Sequence, residues 1–231
     1  MMFMRDYYSN IYWHFTGGPK VDWEFVSSPK DLWNQPTKSS QESFNILTSI
    51  LSSKKLIGNS TEKVSSTEST EKFCCVCDIP LKYLDNHKRY YGDVAIGFRA
   101  KSIHPKFNPV LYIDIENAPL IFSDRKIDPD KTFNENSPAG EFLDYILGLD
   151  KESLGSLSSF IKNTKFSESD EESFYGEREW RCLGDFHFKE DDVEVIILPD
   201  RFKSDLENFL AENGLNLNWV TILSWELIYK L

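Results

Sequence analysis

Two segments carry residue types that could do chemistry together. The first is Tyr12-Trp13-His14-Phe15-Thr16-Gly17-Gly18. A histidine on a strand that runs into Thr-Gly-Gly sets an imidazole beside exposed main-chain groups, a corner able to hold a ribose hydroxyl and a carboxamide. The glycines let a ligand come close to the backbone. The second segment is Tyr175-Gly176-Glu177-Arg178-Glu179-Trp180-Arg181. Read as a strand, it places Glu177 and Glu179 on one face and Arg178 and Trp180 on the other. A carboxylate pair can hold a hydroxyl and stabilise an oxocarbenium cation at a ribose C1′. Mutual repulsion also tends to raise one of the two pKa values. Between these segments lies Arg89-Tyr90-Tyr91-Gly92, where a tyrosine at a strand mouth could stack on a planar base or nicotinamide. Taken one at a time, the segments are described more economically as structure: a satisfied core histidine, a charged edge strand, and a core tyrosine before a helix cap.

Other chemistries lack their signatures. Cys74 and Cys77 have the x₂ spacing of a zinc knuckle, but the only remaining cysteines are Cys75 and Cys182, and His87, His104 and His187 show no pairing. Buried thiols are the better reading, and no metal is expected. A metal-dependent use of Glu177 and Glu179 would want a third carboxylate at metal-site spacing, which the sequence does not show. Phosphate-binding loops, dinucleotide fingerprints, nucleophile elbows and H-E-x-x-H are all absent.

The elements that must position these residues form an irregular α+β pattern. YYSNIYWHFT (7–16) reads as a strand ending in a Gly-Gly-Pro turn, and residues 40–51 carry Phe44, Leu47, Ile50 and Leu51 at helical spacing, with Ser40 and Ser43 at its start. FCCVCDIPL (73–81), DVAIGF (93–98), PVLYIDI (109–115), FYGEREWRCLG (174–184) and VEVIILP (193–199) read as strands. Helices are expected at 137–149, 152–162 and 200–214, with a short helix or turn before Gly92 and a final strand or helix from Asn218. The Ser/Thr-rich stretch within 52–72 and the acidic stretch 164–173 read as mobile loops. Strands do not alternate regularly with helices, so a mixed, mostly antiparallel sheet flanked by helices in a single domain over 1–231 is expected.

With 231 residues, 40% hydrophobic and 14% aromatic, the chain can fill one core. Its net charge of −11 argues against broad phosphate-backbone binding and suits docking to a basic partner. No segment has the roughly 18–20 apolar residues of a membrane span, and the N-terminus lacks a secretory h-region. A cytoplasmic protein with reduced thiols is expected.

Several blocks, in order, resemble a family. IYWHFTGG (11–18) resembles an H-F-T opening, FCCVCDIPLKYLDNHKRYYGDVAIGFRAKSIHPKFNPVLYI (73–113) a pattern of C-F-x-D-I-P-L, H, Y-G, I-G-F and P-V-x-Y, and FYGEREWR (174–181) an F-Y-x-E-R-E-W-R block. VEVIILPDRF (193–202) and SWELI (224–228) complete the series. The chain thus resembles the AbiGi family of abortive phage resistance proteins, an antitoxin family. This is similar to a wider group of phage-defence proteins with an H-Y-T-S opening and an E-x-E-W/Y-R end. A more distant resemblance is to ADP-ribosyltransferases, which place a strand His or Arg, then an aromatic, then an E-x-E glutamate in this order. That resemblance implies an ADP-ribosyltransferase-like fold and an enzyme using NAD as substrate to modify a nucleic acid or protein. By the same resemblance His14 holds the adenosine-side ribose, Thr16 and Gly17 the carboxamide, and Tyr91, or else Tyr90, stacks on the nicotinamide. Glu179, or else Glu177, bonds the ribose 2′-hydroxyl. The family resemblance implies the alternative, a non-catalytic antitoxin that binds a co-encoded toxin.

Overall fold

In the computed structural model, residues 9–26, 28–63, 69–113, 156–165 and 172–230 are described. The strands are β1 (Ile11–Phe15), β2 (Lys55–Leu56), β3 (Phe73–Cys77), β4 (Ala95–Arg99), β5 (Asn108–Pro109), β6 (Leu111–Ile113), β7 (Ile161–Asn163), β8 (Glu179–Leu183), β9 (Phe186–His187), β10 (Val193–Leu198) and β11 (Thr221–Ser224). The helices are α1 (Ser40–Ser53), α2 (Leu84–Tyr91), α3 (Ala100–Ile103), α4 (Lys203–Glu212) and α5 (Trp225–Ile228).

Seven strands form one sheet in the order β11-β10-β4-β1-β3-β8-β5. Every neighbouring pair is antiparallel except β10–β11. The architecture is therefore α+β with a mixed, mostly antiparallel sheet. The continuous apolar runs of β4 and β10 belong in its middle, because both of their faces are covered. On one face, Tyr12, Cys74, Val76, Ile96 and Phe98 pack with Phe44 and Leu47 of α1 and Leu206 of α4. On the other, Trp13, Cys77, Ala95 and Ile197 pack with Leu84 of α2 and Trp225 of α5. No helix among the described residues is long and apolar enough to cross a membrane.

Local chemistry sets the boundaries. α1 begins one residue beyond its cap, Ser39, whose side chain accepts from the Glu42 amide while Glu42 reaches back. Ser39, rather than Ser40 or Ser43, is thus the start signal. α2 ends at Gly92, which takes φ +83°.

Three expectations are corrected. Residues 174–184 are not one strand: Phe174–Glu177 form a 3-10 turn capped by Ser173, Arg178 turns left-handed at φ 48°, and pairing starts at Glu179. Ile161 and Lys162, expected to end a helix over 152–162, instead pair with β6 in the parallel strand Ile161–Asn163. PVLYIDI divides into β5 and β6 around Val110. The helix expected at 137–149 lies outside the described residues.

Candidate functional site

Three carboxylates and two cations meet at the start of β8. Cys77 lies opposite Glu179 and Cys75 opposite Arg181, so Glu179 and Arg181 share one face of the sheet. Arg181 is fully buried. Its Nε donates to Glu179 at 2.9 Å, its Nη2 to Glu179 at 3.0 Å and to Glu62, and its Nη1 to the Ser159 carbonyl at 2.9 Å. Its guanidinium lies 4.1 Å from the centre of the Phe73 ring. Lys162 of β7 enters from the side. Its ammonium donates to Glu177 at 2.8 Å, Glu62 at 3.1 Å and Glu179 at 3.3 Å. A buried charge without partners is expensive, so these five groups stand or fall together.

Three carboxylates against two cations leave one negative charge in surplus. Burial pushes Glu177 up, with the neighbouring Glu179 adding to it against the pull of Lys162. Burial also pushes on Glu179, but Arg181 and Lys162 outweigh it and hold that carboxyl at about 2. Burial works against the Lys162 charge, and Glu177, Glu179 and Glu62 more than offset it. Of the two, Glu177 is therefore the one that protonates first as pH falls and Glu179 the last; a pair split this way separates an acid role from an anionic one. Tyr91 donates its hydroxyl to Glu177, and burial followed by that carboxylate raises the Tyr91 pKa. The Tyr112 hydroxyl accepts from the Glu179 amide at 2.8 Å.

A cavity of about 650 Å³ opens beside this cluster, lined by His14, Thr16, Trp23, Tyr91, Lys162, Glu177 and Glu179. Register puts Trp13 opposite Cys77 and hence on the Glu179 face, so His14, one residue on, points to the opposite face. His14 and Glu179 nevertheless both line the cavity, and β1 is in register with β3 at Trp13 opposite Cys77. His14 Nδ1 donates to the Cys75 carbonyl at 2.9 Å, and burial lowers its pKa, leaving it neutral.

The remaining predicted residues are placed as follows. The Thr16 hydroxyl donates to the Ser43 carbonyl at 2.8 Å. Gly17 does permit a close approach, but Gly92 makes it: a Cβ on Gly17 would lie 2.8 Å from the Gly92 Cα and 2.8 Å from Ser43 Oγ. Tyr91 stacks on His87 at 4.4 Å, with Trp23 nearly parallel to it at 6.3 Å. Tyr90 lines a second cavity, and its hydroxyl accepts from the Trp33 indole at 2.8 Å. Glu177 and Glu179 do converge, on Lys162, although through the left-handed turn at Arg178 rather than by strand alternation. That turn leaves the Arg178 fork on Asp78 at 2.6 and 3.0 Å.

Sequence reasoning missed Glu62, Lys162 and the partnering role of Arg181. Glu62 stands in the Ser/Thr-rich stretch, held near β3 by the Ser60–Phe73 bridge. It is the third carboxylate that a metal site would want, but the Lys162 ammonium occupies the place of the cation. Among the described residues no group of three or more His, Cys, Asp or Glu is arranged for a metal.

The sequence model of a family described as "Putative abortive phage resistance protein AbiGi, antitoxin" matches residues 45–216. The match contains the whole charged cluster and leaves out β1 with His14, Thr16 and Gly17. No curated protein and no solved structure matches the chain.

Proposed function

The chain belongs to the AbiGi family, and from that premise we propose that it serves abortive phage resistance as a non-catalytic antitoxin that binds a co-encoded toxin. The family match over most of the chain carries this reading. Two physical features support it. The net charge of −11 suits a basic partner, since complementary fields speed encounter and select against wrong partners. The Glu179 carboxylate is bonded on both oxygens by Arg181 and Lys162, which fits a structural charge network. The test is co-expression with the product of the neighbouring gene. A complex that survives purification, together with restored growth of cells expressing the neighbour, is expected. No complex and no growth rescue would sink the reading.

A second reading rests on one observation: His14, Tyr91, Glu177 and Glu179 line the same cavity. In it the chain is an ADP-ribosyltransferase-like enzyme that uses NAD as substrate against a nucleic acid or protein. His14 and Thr16 hold the dinucleotide, Tyr91 stacks on nicotinamide, and Glu179 or Glu177 stabilises the oxocarbenium ion. Purified wild type would then consume NAD, and Glu179→Gln or Glu177→Gln would abolish consumption. Equal behaviour of the three proteins removes this reading.

A further inference from the structure

α2 presents three different faces. Leu84, His87 and Tyr91 turn inward, to the core and to the first cavity. Asp85 and Lys88 bond Tyr229 of the C-terminal segment. The third face carries Lys82, Asn86 and Arg89, spaced four and three residues apart, so they form one stripe along the helix and the turn before it.

That stripe lines a second cavity of about 660 Å³. Its other walls include Tyr83, Tyr90, Ser173 and Gly176. The volume is within the range of small-molecule sites. Among the described residues neither Lys82 nor Arg89 has a carboxylate partner. The one acid on α2, Asp85, stands three residues after Lys82 and four before Arg89, but it accepts from the Tyr229 hydroxyl and forms an ion pair with neither cation. The other charged groups of the lining are already engaged, Arg178 on Asp78 and Glu177 on Lys162, so Lys82 and Arg89, two cations without a carboxylate partner, make this cavity attractive to anions in a chain of net charge −11.

Spacing narrows the anion. Lys82, in the 3-10 turn Leu81–Tyr83, and Arg89 of α2 are seven residues apart, about 10 Å along the chain axis, a spacing suited to two or three linked phosphates rather than one. Tyr83 keeps its ring more than half exposed at the cavity, with the Lys82 ammonium over one face at 4.8 Å from the ring centre, and Tyr90 lies at the wall, so a base stacked on Tyr83 would use its other face, next to a cation placed for phosphate. We propose that the cavity beside α2 binds a nucleoside di- or triphosphate, with Lys82 and Arg89 on the phosphates, Asn86 between them, and Tyr83 against the base. The site is separate from the charged cluster, with which it shares the wall formed by His87, Tyr91 and Glu177. It stands whichever reading of that cluster holds.

Calorimetric titration of the full chain with ADP, ATP, AMP and tripolyphosphate tests this. ADP and ATP should bind saturably at one site, and AMP more weakly. Arg89→Glu and Lys82→Glu should each weaken ADP roughly tenfold or more, as expected on losing a charge-assisted contact. Tyr83→Ala should weaken ADP but leave tripolyphosphate unchanged. Lys101→Glu, an exposed charge change on α3, serves as the control and should alter binding by less than about twofold. All four positions are exposed, and unchanged melting temperatures confirm intact folds. The proposal is overturned if neither nucleotide saturates at millimolar concentration, if Lys101→Glu weakens ADP as much as Arg89→Glu, or if Tyr83→Ala leaves ADP binding unchanged.

Discussion

Replacing Arg181 by methionine tests whether the charged cluster is the keystone of this sheet edge. Methionine keeps an apolar stem of similar length against Phe73 and removes only the charge and its donors. Glu179 and Glu62 then share Lys162 with Glu177, three carboxylates on one ammonium, with side chains 9%, 16% and 12% exposed. Breaking a buried pair from one side costs about 3–5 kcal/mol, and the lost bond to the Ser159 carbonyl adds roughly 1 kcal/mol. For a chain of this length each kcal/mol lowers Tm by about 2–4 °C, so a drop on the order of 10 °C is expected. The pH dependence gives a sharper signature. In the wild type Glu179 is held at about 2, below its unfolded value of about 4.3, so it contributes roughly 3 kcal/mol above that value, lost as pH falls toward 2. Without Arg181 its folded pKa moves upward. The variant then gains relative to wild type as acid protonates the surplus carboxylates, and the deficit shrinks from pH 8 to pH 5. Adding Glu179→Gln should restore much of the loss, because it removes the stranded charge. Differential scanning calorimetry at pH 8 and pH 5 decides it. A Tm within about 2 °C of wild type at pH 8, or an equal deficit at both pH values, refutes the reasoning.

Burial lowers the His87 pKa to about 3. The unfolded chain takes up that proton near pH 6.5, so this group removes roughly 2 kcal/mol of stability between pH 6.5 and 5. Urea titrations of His87→Phe should show a flatter acid limb, and an unchanged limb would count against it. Glu177, whose pKa is raised, works in the opposite direction in acid, so Glu177→Gln should steepen the wild-type loss. Gly17→Ala forces a Cβ against Gly92 and should destabilise by about 1–3 kcal/mol. Gly18→Ala, whose Cβ would have only the Tyr91 ring at 3.6 Å, should change little; similar urea midpoints for the two would contradict the close approach. Ser43 Oγ is buried without a hydrogen-bond partner. Ser43→Ala should therefore raise stability by about 1 kcal/mol in urea unfolding, and a loss would show that the hydroxyl has a partner.

Much of the fold was legible because its signals are local. The apolar runs of β3, β4 and β10 and the helical spacing of Phe44, Leu47 and Leu51 each announce an element, and hydrophobic burial on a sheet explains them without knowing their neighbours. The Gly92 stop of α2 and the Glu177–Glu179 pair were equally visible. Boundaries were less so where a turn competes with a strand. Nothing in FYGEREWR announces that Arg178 turns left-handed, because its bond to Asp78 comes from a residue a hundred positions away.

What the sequence alone determined is the composition of the site: an E-x-E pair, tyrosines before Gly92, and a histidine strand, in a chain whose order of blocks marks its family. What tertiary structure decided is which of these meet and what holds them. His14 and Glu179 belong to opposite faces by strand alternation, yet they line one cavity. Lys162 came from a stretch expected to be helical and Glu62 from one expected to be a loop, and together with Arg181 they set the charge state of both glutamates. Coulomb and desolvation energies depend on distance and burial rather than on sequence separation. A charge network assembled from residues 62, 162, 177, 179 and 181 therefore becomes visible only once the chain is folded.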